Sequence, residues 1–134
     1  MRGSRVWAGL LGIEHVTVET VKYDEGAGLV VAHVRPSRTR RDRCGRCGKR
    51  SPRYDSGQGR RRWRTLDLGV VRAVLEAESP RVRCRKHGVT VAAVPWARHD
   101  TGHTRAFDDQ VAWLAVLRPR SRQGHPGGLL RLPR

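Results

Sequence analysis

Acidic residues are scarce in this chain. Twelve Asp and Glu stand against 28 Lys and Arg, giving a formal net charge of +16 and a pI near 11.6. That imbalance disfavours basic partners and points to an anionic one, nucleic acid before an anionic membrane. Cysteine is scarce too. Three residues, an odd number, do not make a disulfide framework, and in a reducing compartment they read as metal ligands. Leu, Ile, Val and Phe total 29 of 134 residues, so the core is small and a metal staple would support it. No apolar run approaches the roughly 20 residues of a membrane-spanning helix. The opening "MRGSRVWAGLLGIEH" has an apolar patch after two arginines but no small-residue cleavage site. The expectation is a cytoplasmic protein without membrane contact. Walker, G-x-G-x-x-G and G-x-S-x-G patterns are also missing, which removes their nucleotide-binding and hydrolase chemistries.

The charge is unevenly placed. Residues 38–64 hold twelve basic and two acidic side chains, whereas residues 1–37 hold four of each. Residues 118–134 add five arginines and no acid.

Alternation and β-branched content predict a strand over residues 13–23 and a return strand over 29–35, joined by "DEGAG". The segment 37–64 is polar, basic and glycine-containing, and reads as irregular. Alternation resumes after Thr65, breaks at Pro80, and continues in short strands at "RVRC" and over residues 89–94. The period then changes. Phe107, Val111, Leu114 and Ala115 share one helical face, with Thr104 as N-cap and Asp108 and Asp109 in the first turn. Residues 118–134 are rich in Pro, Gly and Arg and are expected to be disordered. The expected fold is a small mainly-β zinc ribbon with an N-terminal β-hairpin and one C-terminal helix, an α+β arrangement. Its expected divisions are a hairpin at 1–37, a ribbon at 38–100, a helix at 101–117 and the tail at 118–134.

The chemistry lies in two short turns. Cys44-x2-Cys47 and Cys84-x2-His87 are separated by 36 residues. Structural zinc is tetrahedral and takes thiolates and imidazoles, and a C-x2-C turn lets two sulfurs converge on one ion. Gly45, Gly48 and Gly88 allow the tight turns this needs. The expected cofactor is one structural zinc ion held by Cys44, Cys47, Cys84 and His87, with His99 and His103 as rivals for the fourth place. Four ligands close the coordination sphere, and no acid lies inside either turn to serve as a base. The alternative is three free thiols. His99 and His103 flank Asp100, but no nucleophile accompanies them, and a polar linker is the simpler reading.

The second feature is basic. "RTRRDR" and "GRRRWR" supply Arg38, Arg40, Arg41, Arg43, Arg60, Arg61, Arg62, Trp63 and Arg64 as candidate nucleic-acid contacts. The arginines would meet phosphates. Trp63 would either stack on a base or pack in the core.

Taken together, "RCGRCGKRSPRYDSGQGRRRWRTLDLG" and "PRVRCRKHGVTVAAVPWARHDTGHTRAFDDQVAWLA" resemble the N-terminal part of insertion-sequence transposases of the ISL-three type. The resemblance covers roughly residues 5–116. It implies a zinc-binding domain with Cys44, Cys47, Cys84 and His87 as ligands, and recognition of an element's terminal inverted repeats in DNA. Members of that family continue through a helix-turn-helix region to a catalytic domain with acidic metal ligands. This sequence instead turns into the acid-free tail after Val116, so the expectation is a truncated or frameshifted copy without catalytic activity. Such a copy would share DNA ends with the full-length transposase. The rival expectation is a zinc-ribbon module for RNA or protein contacts.

Overall fold

The computed structural model describes residues 2–117, so the tail expected at 118–134 lies outside the described residues. The elements are α1 (Arg2–Leu11), β1 (Val16–Asp24), β2 (Leu29–Pro36), β3 (Arg53–Asp55), β4 (Arg60–Leu68), β5 (Val71–Glu78), β6 (Arg81–Cys84), β7 (Gly88–Val91) and α2 (Arg105–Leu117). They form a four-stranded sheet of order β1-β2-β5-β4 and a three-stranded sheet of order β3-β6-β7. The fold is mainly β and ends on a helix among the described residues, as the sequence predicts.

The larger sheet is two antiparallel hairpins joined by a parallel β2–β5 pair. Strands from both sides of residue 37 therefore share one sheet. In the first hairpin Asp24 accepts a hydrogen bond from the Ala27 amide at 3.2 Å, the Asx-type closure that "DEGAG" offers. A register shift between Val18 and Thr20 bends β1. There the freed Val18 amide donates to the Ser4 hydroxyl of α1 at 2.9 Å.

Alternation places Trp63 and Thr65 of β4, and Ala73, Leu75 and Ala77 of β5, on one buried face. Leu11, Ile13, Trp96 and Ala97 cover that face. Trp96 meets Trp63 edge to face, with centroids 5.3 Å apart. Thr65 donates to the Leu11 carbonyl at 3.0 Å and accepts from Thr104 at 3.1 Å, which satisfies buried hydroxyls where α1, β4 and α2 meet. Thr104 also caps α2 as expected, accepting from the Phe107 amide at 3.1 Å.

Three elements differ from the sequence reading. β3 falls inside the segment 37–64 that reads as irregular. Residues 60–64, read as a loop, are the start of β4. Their charge masks a period of two in which Arg60, Arg62 and Arg64 alternate with Arg61 and buried Trp63. A second helix, α1, precedes the hairpin. Gly12, at φ 71°, closes it as a Schellman motif: its amide donates to Gly9 and that of Ile13 to Ala8.

Candidate metal centre

The smaller sheet brings the two short turns together. β6 ends on Cys84 and pairs with β7, which begins at Gly88, so residues 85–87 form the turn between them. The first turn docks on the continuation of β7. The Gly45 amide donates to the Val91 carbonyl at 3.2 Å, and the Ala93 amide donates to the Arg43 carbonyl at 2.7 Å. Arg43 braces the same turn from outside, its guanidinium donating to the Thr39 and Gly48 carbonyls at 3.0 to 3.1 Å.

Close approach dictates the residue at 45. A Cβ there would sit 2.5 Å from the Val91 carbonyl oxygen and against the His99 ring. Gly48 has φ 78°, the left-handed region that glycine tolerates best.

The Sγ atoms of Cys44, Cys47 and Cys84 and a ring nitrogen of His87 lie within 4.8 Å of one another. Cys47 Sγ is 3.7 Å from Cys84 Sγ, and His87 Nδ1 is 3.6 Å from Cys44 Sγ and 3.7 Å from Cys84 Sγ. A tetrahedral zinc with bonds of about 2.3 Å to sulfur and about 2.0 Å to nitrogen has edges of about 3.8 Å between sulfurs and about 3.6 Å between sulfur and nitrogen. The donor set fits that ion, and these three edges match its spacing. Cys44 and Cys84 are buried and Cys47 is exposed, and all three are free of disulfides.

Amides aim at the sulfurs, as zinc knuckles require. That of Arg46 donates to Cys44 Sγ at 3.3 Å. The His87 amide chiefly, with that of Lys86, holds the Cys84 thiol down at about 6 against the pull of burial. Cys47 moves the other way. The Lys49 amide lowers its pKa, but burial and the neighbouring sulfurs outweigh it.

Of the three candidate histidines, His87 stands in the cluster. His99 lies against Gly45, and His103 stacks on Phe107 with centroids 5.1 Å apart. Among the described residues this is the one group of three or more Cys, His, Asp or Glu placed to hold a metal.

The basic candidates are distributed differently. Trp63 is 1% exposed and part of the core, the second of the two places the sequence left open for it, with its ring packed edge to face on Trp96. Arg60 and Arg62 converge on Glu76 at 2.9 and 3.0 Å. Burial raises the Glu76 pKa, but these two guanidiniums more than reverse it, so its carboxyl stays below the usual range. Arg61 lies 4.8 Å over the Trp63 ring and donates to the Thr101 carbonyl. Arg64 pairs with Asp67 at 2.9 Å. Arg40 meets His15 at 3.3 Å, while Arg38 and Arg41 are exposed. Charge counting could not reveal the two Glu76 pairings, because Glu76 is far from Arg60 and Arg62 in sequence and reaches them only through the β4–β5 register.

Residues 40–87 match the family model described as the zinc-finger of transposase IS204/IS1001/IS1096/IS1165. The chain is 54% identical over 121 residues to the transposase for insertion sequence element IS1557 of Mycobacterium tuberculosis, in strain CDC 1551 / Oshkosh and equally in strain ATCC 25618 / H37Rv. The match takes in 87% of this chain and 27% of each relative, so the chain spans about a quarter of the curated relatives it matches. No solved structure matches. No described helix is long and apolar enough to cross a membrane. The knuckle spacing, the clustered donors and the two matches converge: residues 40–87 are a zinc-ribbon region of the ISL-three transposase type.

Proposed function

We propose that the chain is a zinc-stabilised DNA-binding module of a transposase. It holds one structural ion through Cys44, Cys47, Cys84 and His87 and contacts the ends of an insertion element. The observation that carries this reading is the Cys3His cluster with zinc-like edges, inside a transposase-type ribbon of a chain with net charge +16. Arg38, Arg40, Arg41 and Arg43 lie in the segment that leads into the first metal-binding turn. Arg60, Arg61, Arg62 and Arg64 line β4, and both groups serve phosphates rather than base edges. In this reading the stretch 38–100 binds, and the helix over 101–117 leads toward the neighbouring part of a transposase. The described stretch supplies recognition and not strand chemistry: among the described residues the one group placed to hold a metal is the Cys3His cluster, which contains no carboxylate. Asp55 pairs with Arg81, Glu76 with Arg60 and Arg62, and Asp108 with Arg98. Its place of action is the cytoplasm, where DNA and reduced thiols coexist.

Titration of a labelled DNA duplex at several salt concentrations tests this. Affinity should fall steeply, with a log–log slope of about −0.9 per phosphate contact. A flat dependence, or equal binding by the chelated protein, would contradict it. A protein contact has one observation in its favour: α2 exposes Val111, Trp113, Leu114, Val116 and Leu117. Capture of full-length transposase by the chain in the absence of DNA, lost on Trp113→Ala, would favour that second reading.

A further inference from the structure

The positive charge falls into two populations once ion pairs are drawn. On β4 and in the preceding loop, many guanidiniums are committed to Glu76, Asp67, Trp63 or backbone carbonyls. Arg46, Lys49, Arg50, Arg85 and Lys86 are different. All five are exposed, and among the described residues none has a carboxylate within 4.0 Å.

They also share one place. Arg46 lies between Cys44 and Cys47, and Lys49 and Arg50 follow that turn. Arg85 and Lys86 lie between Cys84 and His87. Because the four donor atoms fall within 4.8 Å of one another, the two turns stand side by side at the metal end of the ribbon. Arg83, one step back on β6, is exposed and lies 4.9 Å over the exposed Tyr54 ring, which continues the basic surface along the sheet.

Resting on the DNA-binding reading above, we infer that the DNA contact surface extends onto the two metal-binding turns, where Arg46, Lys49, Arg50, Arg85 and Lys86 grip the phosphate backbone of a duplex. A guanidinium already paired with a carboxylate must give up charged hydrogen bonds before it can serve a phosphate. An unpaired one exchanges water alone, and phosphate contact releases a condensed counterion. Three thiolates with zinc carry a single net negative charge. Five cations outweigh it, so the turn surface stays positive. The metal also fixes the backbone of both turns in advance, which removes an ordering cost from binding.

The test uses the zinc-loaded full chain and a labelled DNA duplex. Arg46→Ala, Lys49→Ala, Arg50→Ala, Arg85→Ala and Lys86→Ala are made singly and together, with zinc content as the check on folding. Each cation that contacts phosphate should lower the magnitude of the log–log salt slope by about 0.9, and the combined variant should bind at least about ten-fold more weakly at about 0.1 M salt. If the combined variant loses zinc, the single variants carry the test. Lys22→Ala with Arg72→Ala removes two exposed cations from the other sheet and should leave the slope unchanged. Unchanged slopes in zinc-loaded turn variants of a chain that binds duplex would overturn the inference and leave the DNA reading standing. A parent chain that binds no duplex at low salt would overturn both.

Discussion

Substituting Gly45 by alanine isolates the packing that holds the first turn on the ribbon. The backbone there does not require glycine's conformational range: the residue is not among the positive-φ positions. The obstacle is space. The new methyl would lie 2.5 Å from the Val91 carbonyl oxygen, which belongs to rigid backbone, and against the His99 ring. An ordinary contact needs about 3.4 Å, so the turn must retreat by nearly an ångström. Overpacking of that kind costs about 1–3 kcal/mol. Retreat also weakens the Gly45–Val91 hydrogen bond, worth about 1 kcal/mol. The total is about 2–4 kcal/mol. At about 4 °C per kcal/mol for a domain of this size, the melting temperature should drop by about 8–16 °C. Calorimetry of the zinc-loaded protein reads this directly. Adding His99→Ala should recover part of the loss and no more, because the carbonyl remains. A Gly45→Ala protein that melts within about 2 °C of the parent would refute the argument that the turn is seated on Val91.

Two further outcomes follow from the larger sheet. Glu76 has a depressed pKa, so its contribution is fully present above its ordinary range and is lost as pH falls through the folded value. Glu76→Gln should therefore destabilise the protein by about 1–2 kcal/mol at pH 7, and urea titrations should show the difference vanishing in acid. Thr104→Ala removes both the cap of α2 and the donor to Thr65. It should cost about 1–2 kcal/mol, and helical signal should fall with it in circular dichroism.

What sequence reveals here depends on how local the cause is. Cys44-x2-Cys47 and Cys84-x2-His87 are legible because a knuckle is built from neighbours, and Thr104 is legible because a cap acts within one turn. The hairpin over β1 and β2 is local in the same way. The parallel β2–β5 pair joins strands some forty residues apart, and nothing near either strand announces it. β4 hides behind its arginines: five of its nine residues are charged, and only Trp63 and Thr65 are fully buried. α1 hides behind Gly3, Ser4 and Gly9, residues poor in helix propensity, although Leu11-Gly12-Ile13 carries the stop signal of its Schellman end. The commitment of Arg60 and Arg62 to Glu76 depends on that same β4–β5 register, so charge counting overstated how freely β4 could serve phosphates.

Zinc content of the purified protein, with circular dichroism recorded before and after a chelator, tests the central claim most directly. One zinc per chain, with loss of strand signal on chelation, is the predicted result, since structural metal contributes folding free energy. A folded protein that carries no zinc, and whose spectrum ignores the chelator, would contradict it.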